Sequence, residues 1–337
     1  MNSFDEYINN QQIQWRKKHI SVSSYGIQNN KTREWILPLK FWEEGLWQEI
    51  RKDSENSLPD YLSKSEVHKH DGSHNLKSSW ILCANLYFSF RKNPDLLANF
   101  LKHNISTDIA SIEKMELEFA EDFPLDPKTL LGEPKDGTRG KNQTSPDIAF
   151  IVRTTNNKKG LILTENKFTE HSFYDCSGRK AEDNHNSEKC SDIYQILNNL
   201  PTACFQLNWE NAHRPNRKYW NYLKISKYGQ SVLKHCPAAF CGCQLFRQQA
   251  LAEGIAASGK YDFVFSCVAY DERNSSLISS MKKNGVKDFR TEWGKLFDGK
   301  TRFATFSHQQ WASWVRAKDN NGIWKEWLAY VKERYEL

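Results

Sequence analysis

Apolar side chains first recur at helical spacing. Phe41, Trp42, Leu46, Trp47 and Ile50 fall on one side of a 3.6-residue period, so residues 1–60 are predicted to be helical and amphipathic. Residues 51–77 are polar, rich in Ser, Asp and His, and read as an extended loop. Ser78-Ser79 is placed to cap a helix from Trp80 to Arg91 with Trp80, Ala84, Tyr87 and Phe88 on one face, and a short helix follows over about 94–103. Then the period drops to two. Met115, Leu117 and Phe119 alternate with Glu116, Glu118 and Ala120, the pattern of a half-buried strand. A loop from Pro124 to Thr144 leads to the apolar run Ile148–Val152, a polar turn over Thr154–Gly160, and a second run, Leu161–Leu163. Helical spacing returns near 188–200 and 217–234, and strongly over Gln244–Ala257. Tyr261–Val268 and Thr301–Phe306 read as strands, and helices over 308–317 and 323–335 close the chain. The sum is a mixed α/β chain. It divides into a helical N-terminal region (1–110), a core (111–270) with an insertion at about 170–236, and a C-terminal α/β extension of the same domain (271–337).

Composition narrows the classes. Hydrophobic residues are 39% and charged residues 26% of 337, enough for a packed core and unlike a disordered chain. Lys plus Arg (47) exceed Asp plus Glu (41) by only 6, which permits a polyanionic partner without demanding one. The first residues are polar and no apolar run approaches the roughly 20 residues that span a bilayer, so the expectation is a cytoplasmic protein without a membrane partner. In that reducing compartment the eight Cys are expected as thiols or metal ligands rather than disulfides.

The candidate chemistry sits where the period is two. Asp147 opens one apolar run and Glu165-Asn166-Lys167 ends the next. Strand alternation points Glu165 and Lys167 the same way and Asn166 the other. A hairpin closing near residue 156 would bring Asp147 beside them. Mg2+ takes oxygen ligands from one or two carboxylates, waters and substrate phosphate. Asp147 and Glu165 supply carboxylates, and the backbone carbonyl of Asn166 is a third oxygen. Lys167 could then orient a water, lower its pKa or offset charge in the transition state. Glu116 and Glu118 share one face of the preceding strand; Glu118 is a candidate third acid, and the competing reading is a wet strand face.

Pro146-Asp147 with Glu165-Asn166-Lys167 resembles the signature of the PD-(D/E)XK nuclease superfamily. The words Gly137-Thr138-Arg139-Gly140, Asn142 to Asp147, Glu165 to Glu170, Ser172-Phe173, Cys176, Cys236-Pro237 and Gln244-Leu245-Phe246-Arg247 resemble a bacterial branch of it, over roughly residues 75–260. The resemblance implies a restriction-endonuclease-like core of helix, three strands, helix and strand: a small mixed sheet flanked by helices, here with a helical N-terminal extension and a Cys-bearing insertion. It implies Asp147 and Glu165 as Mg2+ (or Mn2+) ligands, Lys167 as the catalytic lysine, and Gln244 as a helical residue touching the site. Trp80 stands where the branch carries a polar residue, and the word after Cys236-Pro237 departs from the branch's pattern.

Six Cys fall between 176 and 243. Cys176, Cys190, Cys236, Cys241 and Cys243 are the candidates for structural zinc, although their spacing is irregular for a zinc finger or ribbon. An iron–sulfur cluster and plain buried thiols are the other readings. Arg179, Lys180, Arg214, Arg217 and Lys218 are candidates for phosphate contacts, with ordinary surface charge as the alternative. The histidines of Val67–His74 read as a solvated loop. The functional expectation is a Mg2+-dependent deoxyribonuclease in bacterial defence or restriction, acting on DNA, with a homodimer and an operon-encoded helicase, methylase or sensor as candidate partners. The competing class is a catalytically silent nucleic-acid- or protein-binding module on the same scaffold. An aromatic-rich carbohydrate binder rests only on the twelve Trp, most of which lie in helical patterns.

Overall fold

The computed structural model describes residues 3–209 and 215–337. Its centre is a five-stranded mixed sheet: β1 (Ile109–Leu117), β2 (Ile148–Thr154), β3 (Lys159–Lys167), β4 (Phe263–Tyr270) and β5 (Arg302–Ser307), side by side in chain order. β1–β2 and β2–β3 pair antiparallel, while β3–β4 and β4–β5 pair in parallel. The parallel steps require long crossovers. The first includes helix Cys243–Ser258.

Both faces of the sheet are covered, so its central strands are buried nearly throughout rather than alternating. One face, carrying Phe150, Ile162 and Cys267, packs against Phe4–His19 (α1), Ser79–Leu86 (α2), Asp95–Asn104 (α3) and the two C-terminal helices. The other, carrying Ile151, Leu163 and Val268, packs against Cys243–Ser258 (α4) and the segment before it. The C-terminal pair is His308–Lys318 (α5) and Lys325–Tyr335 (α6). This mixed α/β arrangement, with a five-stranded sheet between helices, is consistent with a restriction-endonuclease-like fold. No helix among the described residues is long and apolar enough to cross a membrane.

The predicted hairpin forms in the expected register, Ile148 opposite Thr164, with Asn157 at φ 57° in its turn. Ser78 caps α2 by accepting the Ile81 N–H, and α2 is shorter than expected. Three expectations need correction. Residues 39–50 form 3-10 turns rather than an amphipathic helix, because Pro38 and Gly45 bound a segment whose Phe41 leaves helical φ/ψ. Residues 26–33 form a hairpin, turned by Asn29 and Asn30 at φ 51° and 59°, the left-handed pair that a two-residue turn needs. The polar stretch 51–77 contains a helix, Leu58–Lys64, capped by Ser57 and begun by Pro59.

Candidate active site

One end of β2 and β3 carries the chemistry. Ile148 pairs with Thr164, so one step outward Asp147 falls across from Glu165. Asp147 Oδ2 accepts the Asn166 backbone N–H at 2.7 Å, which locks the carboxylate to β3. Glu165 and Lys167 share the face of Leu161 and Leu163, and Lys167 Nζ lies 2.9 Å from Glu165 Oε1. It also donates to Gln244 Oε1 at 2.8 Å, near the N-terminus of α4. Asn166 points the other way, and its Nδ2 donates to the Ser79 carbonyl at 2.7 Å. Asp147, Glu165, Lys167 and Gln244 are therefore brought together.

Glu118 joins them and Glu116 does not. Glu118 ends the β1 alternation with φ 47°, and its N–H donates to the Asp147 carbonyl at 3.0 Å. Its side chain is buried within electrostatic reach of Asp147 and Glu165. Glu116 instead pairs with Lys114 and with Arg139 on the far side of β1. Arg139 also donates to the carbonyls of Leu117 and Glu118, fixing the strand end.

Charge is concentrated here without solvent to spread it. Burial, then the Asp147 and Glu165 charges, push the Glu118 carboxyl well above its ordinary value; the nearby Trp80 indole and the Arg139 charge offset part of this. Burial and Glu165 do the same to Asp147. Burial disfavours the Lys167 ammonium, yet Glu165, Glu170 and Asp147 outweigh it and hold the lysine above its usual value. A buried excess of carboxylate is the environment a hard divalent cation relieves. Asp147, Glu165 and the Asn166 carbonyl fit such an ion in donor type. Among the described residues, no group of three or more His, Cys, Asp or Glu side chains is already closed enough to hold a metal ion.

Several residues that support the site carry no motif. His308, at the start of α5, bonds to the Lys167 carbonyl through Nε2 (2.9 Å) and to Tyr87 Oη through Nδ1 (2.8 Å). A carbonyl only accepts, so Nε2 carries the hydrogen and Tyr87 donates to Nδ1. Burial lowers this imidazole to about 4, so it is neutral. Glu133 accepts from Thr144 N (2.6 Å), Thr144 Oγ1 (2.6 Å) and Tyr219 Oη (2.9 Å), and Arg247 of α4 clamps the same pair. This network holds the loop that delivers Asp147. Asn274 Nδ2 donates to the Phe168 and Glu170 carbonyls, both at 2.9 Å. Tyr174 is 53% exposed with φ 58°, and its ring lies 5.5 Å from Lys167 Nζ. His70, from the loop read as merely solvated, lies within electrostatic reach of Glu170 and Lys167.

A cavity of about 80 Å3, lined in part by Glu165, Gln244 and Arg247, opens at the site. A neighbouring one of about 260 Å3 shares Gln143 and Arg247 with it and adds Arg217. The other candidate cations are engaged locally. Arg179 stacks on Phe240 at 4.0 Å, Lys180 pairs with Asp175 at 2.9 Å, and Lys218 donates to the Thr129 carbonyl at 3.3 Å. Arg217 donates to the Gly132 and Pro215 carbonyls and stands over Trp209. Arg214 lies outside the described residues. Of the cysteines, Cys176 and Cys243 are electrostatic neighbours, and the Cys241 backbone N–H donates to Asp175 Oδ1 at 2.8 Å. Cys204, absent from the candidate set, lies near Cys176 and Cys236.

Comparison with known proteins gives one match. A family model described as Restriction Endonuclease associating with ARP covers residues 9–336. No curated protein and no solved structure matches the chain.

Proposed function

The chain belongs to the family of restriction endonucleases associating with ARP, and on that premise we propose that it is a PD-(D/E)XK nuclease that hydrolyses DNA phosphodiester bonds with Mg2+ or Mn2+. The observation that carries this reading is the cluster itself. Two carboxylates from adjacent antiparallel strands and a buried ammonium share one strand end, with Lys167 Nζ 2.9 Å from Glu165 and 2.8 Å from Gln244.

Asp147, Glu165 and the Asn166 carbonyl would hold the ion, with Glu118 as an additional acid. When bound, the cation supplies Lewis-acid polarisation of the phosphate and acidifies a water. The protein's own groups do the rest. Asp147 is held in place by the Asn166 N–H, so its carboxylate is oriented before substrate arrives. Lys167 stays protonated at neutral pH, so it acts as a hydrogen-bond donor and charge partner for the developing phosphorane rather than as a base. Gln244 and Glu165 fix the direction of its ammonium. Arg217 and Arg247 line the adjoining cavity, where a phosphate backbone would lie. A role in bacterial defence and action beside the partner that the family description abbreviates ARP follow from the same reading.

The test is cleavage of linear, circular and single-stranded DNA, and of RNA, with Mg2+, Mn2+ or EDTA. Metal-dependent DNA cleavage is expected, lost by at least about 1,000-fold in Asp147→Ala and Lys167→Ala with the fold intact. Binding without turnover under every metal would favour the silent module. Equal cleavage by both variants would remove the mechanism.

A further inference from the structure

The chain that leaves β3 is fastened to the first turn of α4. Gly242, at the start of that helix, has no side chain to cap it, so the N–H groups of Cys243 and Gln244 need acceptors from elsewhere. The residues after β3 supply them. Cys243 N–H donates to the Tyr174 carbonyl at 3.0 Å, and Gln244 N–H donates to the Phe173 carbonyl at 2.9 Å. Phe173 N–H donates in return to the Cys241 carbonyl at 3.0 Å, and Tyr174 N–H donates to Ser172 Oγ at 3.2 Å. The Phe173 ring is buried, edge-on to Phe289 at 5.0 Å. Residues 173 and 174 are therefore held by the same helix end that carries Gln244.

Tyr174 is an unusual residue for such a place. Its φ of 58° is left-handed backbone, which Gly or Asn adopts readily and a bulky side chain adopts against steric resistance. Strain of this kind persists where surrounding bonds enforce it, and it gathers at sites that use the side chain. The ring is not there to fill the core, since Tyr174 is 53% exposed. It faces the chemistry instead. Its centre lies 5.5 Å from Lys167 Nζ, on a lysine that is otherwise buried. Other exposed aromatic rings are engaged elsewhere: Tyr7 bonds Glu336, and Tyr25 lies under the Arg16 guanidinium at 4.6 Å.

A phosphate taken up by Lys167 brings its flanking nucleosides with it. A flat, half-exposed ring beside that ammonium offers a stacking surface to a base, whatever the base, because each has a π face. A base inside a duplex has both faces covered by its neighbours, so it must leave the helical stack to reach the ring. We propose that Tyr174 is the platform on which an unpaired base beside the scissile phosphate stacks, and that the site takes DNA whose bases are free at that point, a single strand or a frayed end. The proposal rests on the nuclease reading, which places the phosphate at Lys167. Because Phe173 and Tyr174 are bonded to α4 before substrate arrives, little order has to be imposed on the platform. The stacked base then fixes the phosphate relative to Lys167 and Gln244.

The experiment measures binding by the full chain with Ca2+ in place of Mg2+, so the readout needs no cleavage. The probes are a mixed-sequence DNA single strand and the matching duplex, each carrying 2-aminopurine as a fluorescent base. Tyr174→Asn tolerates the left-handed backbone and removes the ring, whereas Tyr174→Phe keeps the ring. The Asn variant should melt no lower than the native chain, bind the single strand about 10-fold or more weakly, and leave the 2-aminopurine unquenched. The Phe variant should restore affinity and quenching, and the duplex should bind all three proteins alike. Tyr174→Leu gives the same reading if the Asn variant fails to fold. Native affinity and quenching without the ring, a Phe variant as weak as the Asn variant, or a native chain that binds neither probe overturns the proposal. If the native chain and the ring-less variant cleave and bind the single strand alike, the platform fails and the nuclease reading stands. If the native chain quenches the single strand but cleaves nothing with Mg2+ or Mn2+, the nuclease reading fails and the platform stands.

Discussion

At the scale of single residues, Asp147 and Glu118 stand in a conflict that only an ion or a proton resolves. Both carboxyls titrate above their ordinary range, so each costs stability when ionised. The sign follows directly. A carboxyl raised in the folded state supports the fold at low pH and withdraws that support as pH rises through its folded value. Asp147→Asn is therefore expected to raise Tm at pH 8, by on the order of 1 kcal/mol in stability. The gain should shrink as pH falls and the native carboxyl takes up its proton; thermal melts across pH 5 to 8 check it, and a loss of stability at pH 8 would contradict it. Divalent cations offer the other release. Mg2+ or Ca2+ at about 100 times its Kd should stabilise the native chain by roughly 3 kcal/mol, and should do far less for Asp147→Asn. Differential scanning calorimetry reads both arms.

At the scale of elements, the site is made by a hairpin register and the start of one helix. Both were legible. Two continuous apolar runs on either side of a polar turn set Asp147 across from Glu165, and the helical period over 244–257 marks α4. Only the family resemblance singles out Gln244, since nothing in its local pattern marks it. The misreadings have physical causes. The Asn29-Asn30 turn leaves little trace in the sequence because its strands are only three residues long and mostly exposed, with no alternation of apolar and polar positions. Residues 39–50 carry helical spacing yet form 3-10 turns, because Pro38 and Gly45 override the period. The Glu133–Thr144–Arg247 network was invisible because its members are far apart in sequence and meet only through the fold. Gln244→Ala should lower kcat by about 10- to 100-fold with little change in KM, because Lys167 loses its aim while the carboxylates remain. Steady-state kinetics separate this from a binding defect, in which KM would move instead.

At the scale of the whole molecule, the C-terminal helices reach back to the chemistry. α5 places His308 under the Lys167 carbonyl, and Arg334 of α6 is buried against the Gly45 and Leu76 carbonyls and Gln12. One apolar core thus runs from α1 through the sheet to α6. His308 gives this linkage a pH signature. Its folded pKa, about 4, lies below the ordinary 6.5, so its contribution is present above 6.5 and lost as pH falls toward 4. That loss amounts to roughly 3 kcal/mol at most and is opposite in sign to the carboxylate effect. His308→Gln should flatten the acid limb of the stability curve in urea titrations; an unchanged limb would show that the imidazole is not buried neutral.

The central claim is that one divalent ion sits between the carboxylates of Asp147 and Glu165, with the Lys167 ammonium at its side. Anomalous diffraction from crystals soaked in Mn2+ tests it most directly. The account requires a peak bonded to both carboxylates, absent from Asp147→Asn crystals. Manganese bound elsewhere, or a vacant strand end in a preparation that cleaves DNA, would contradict it.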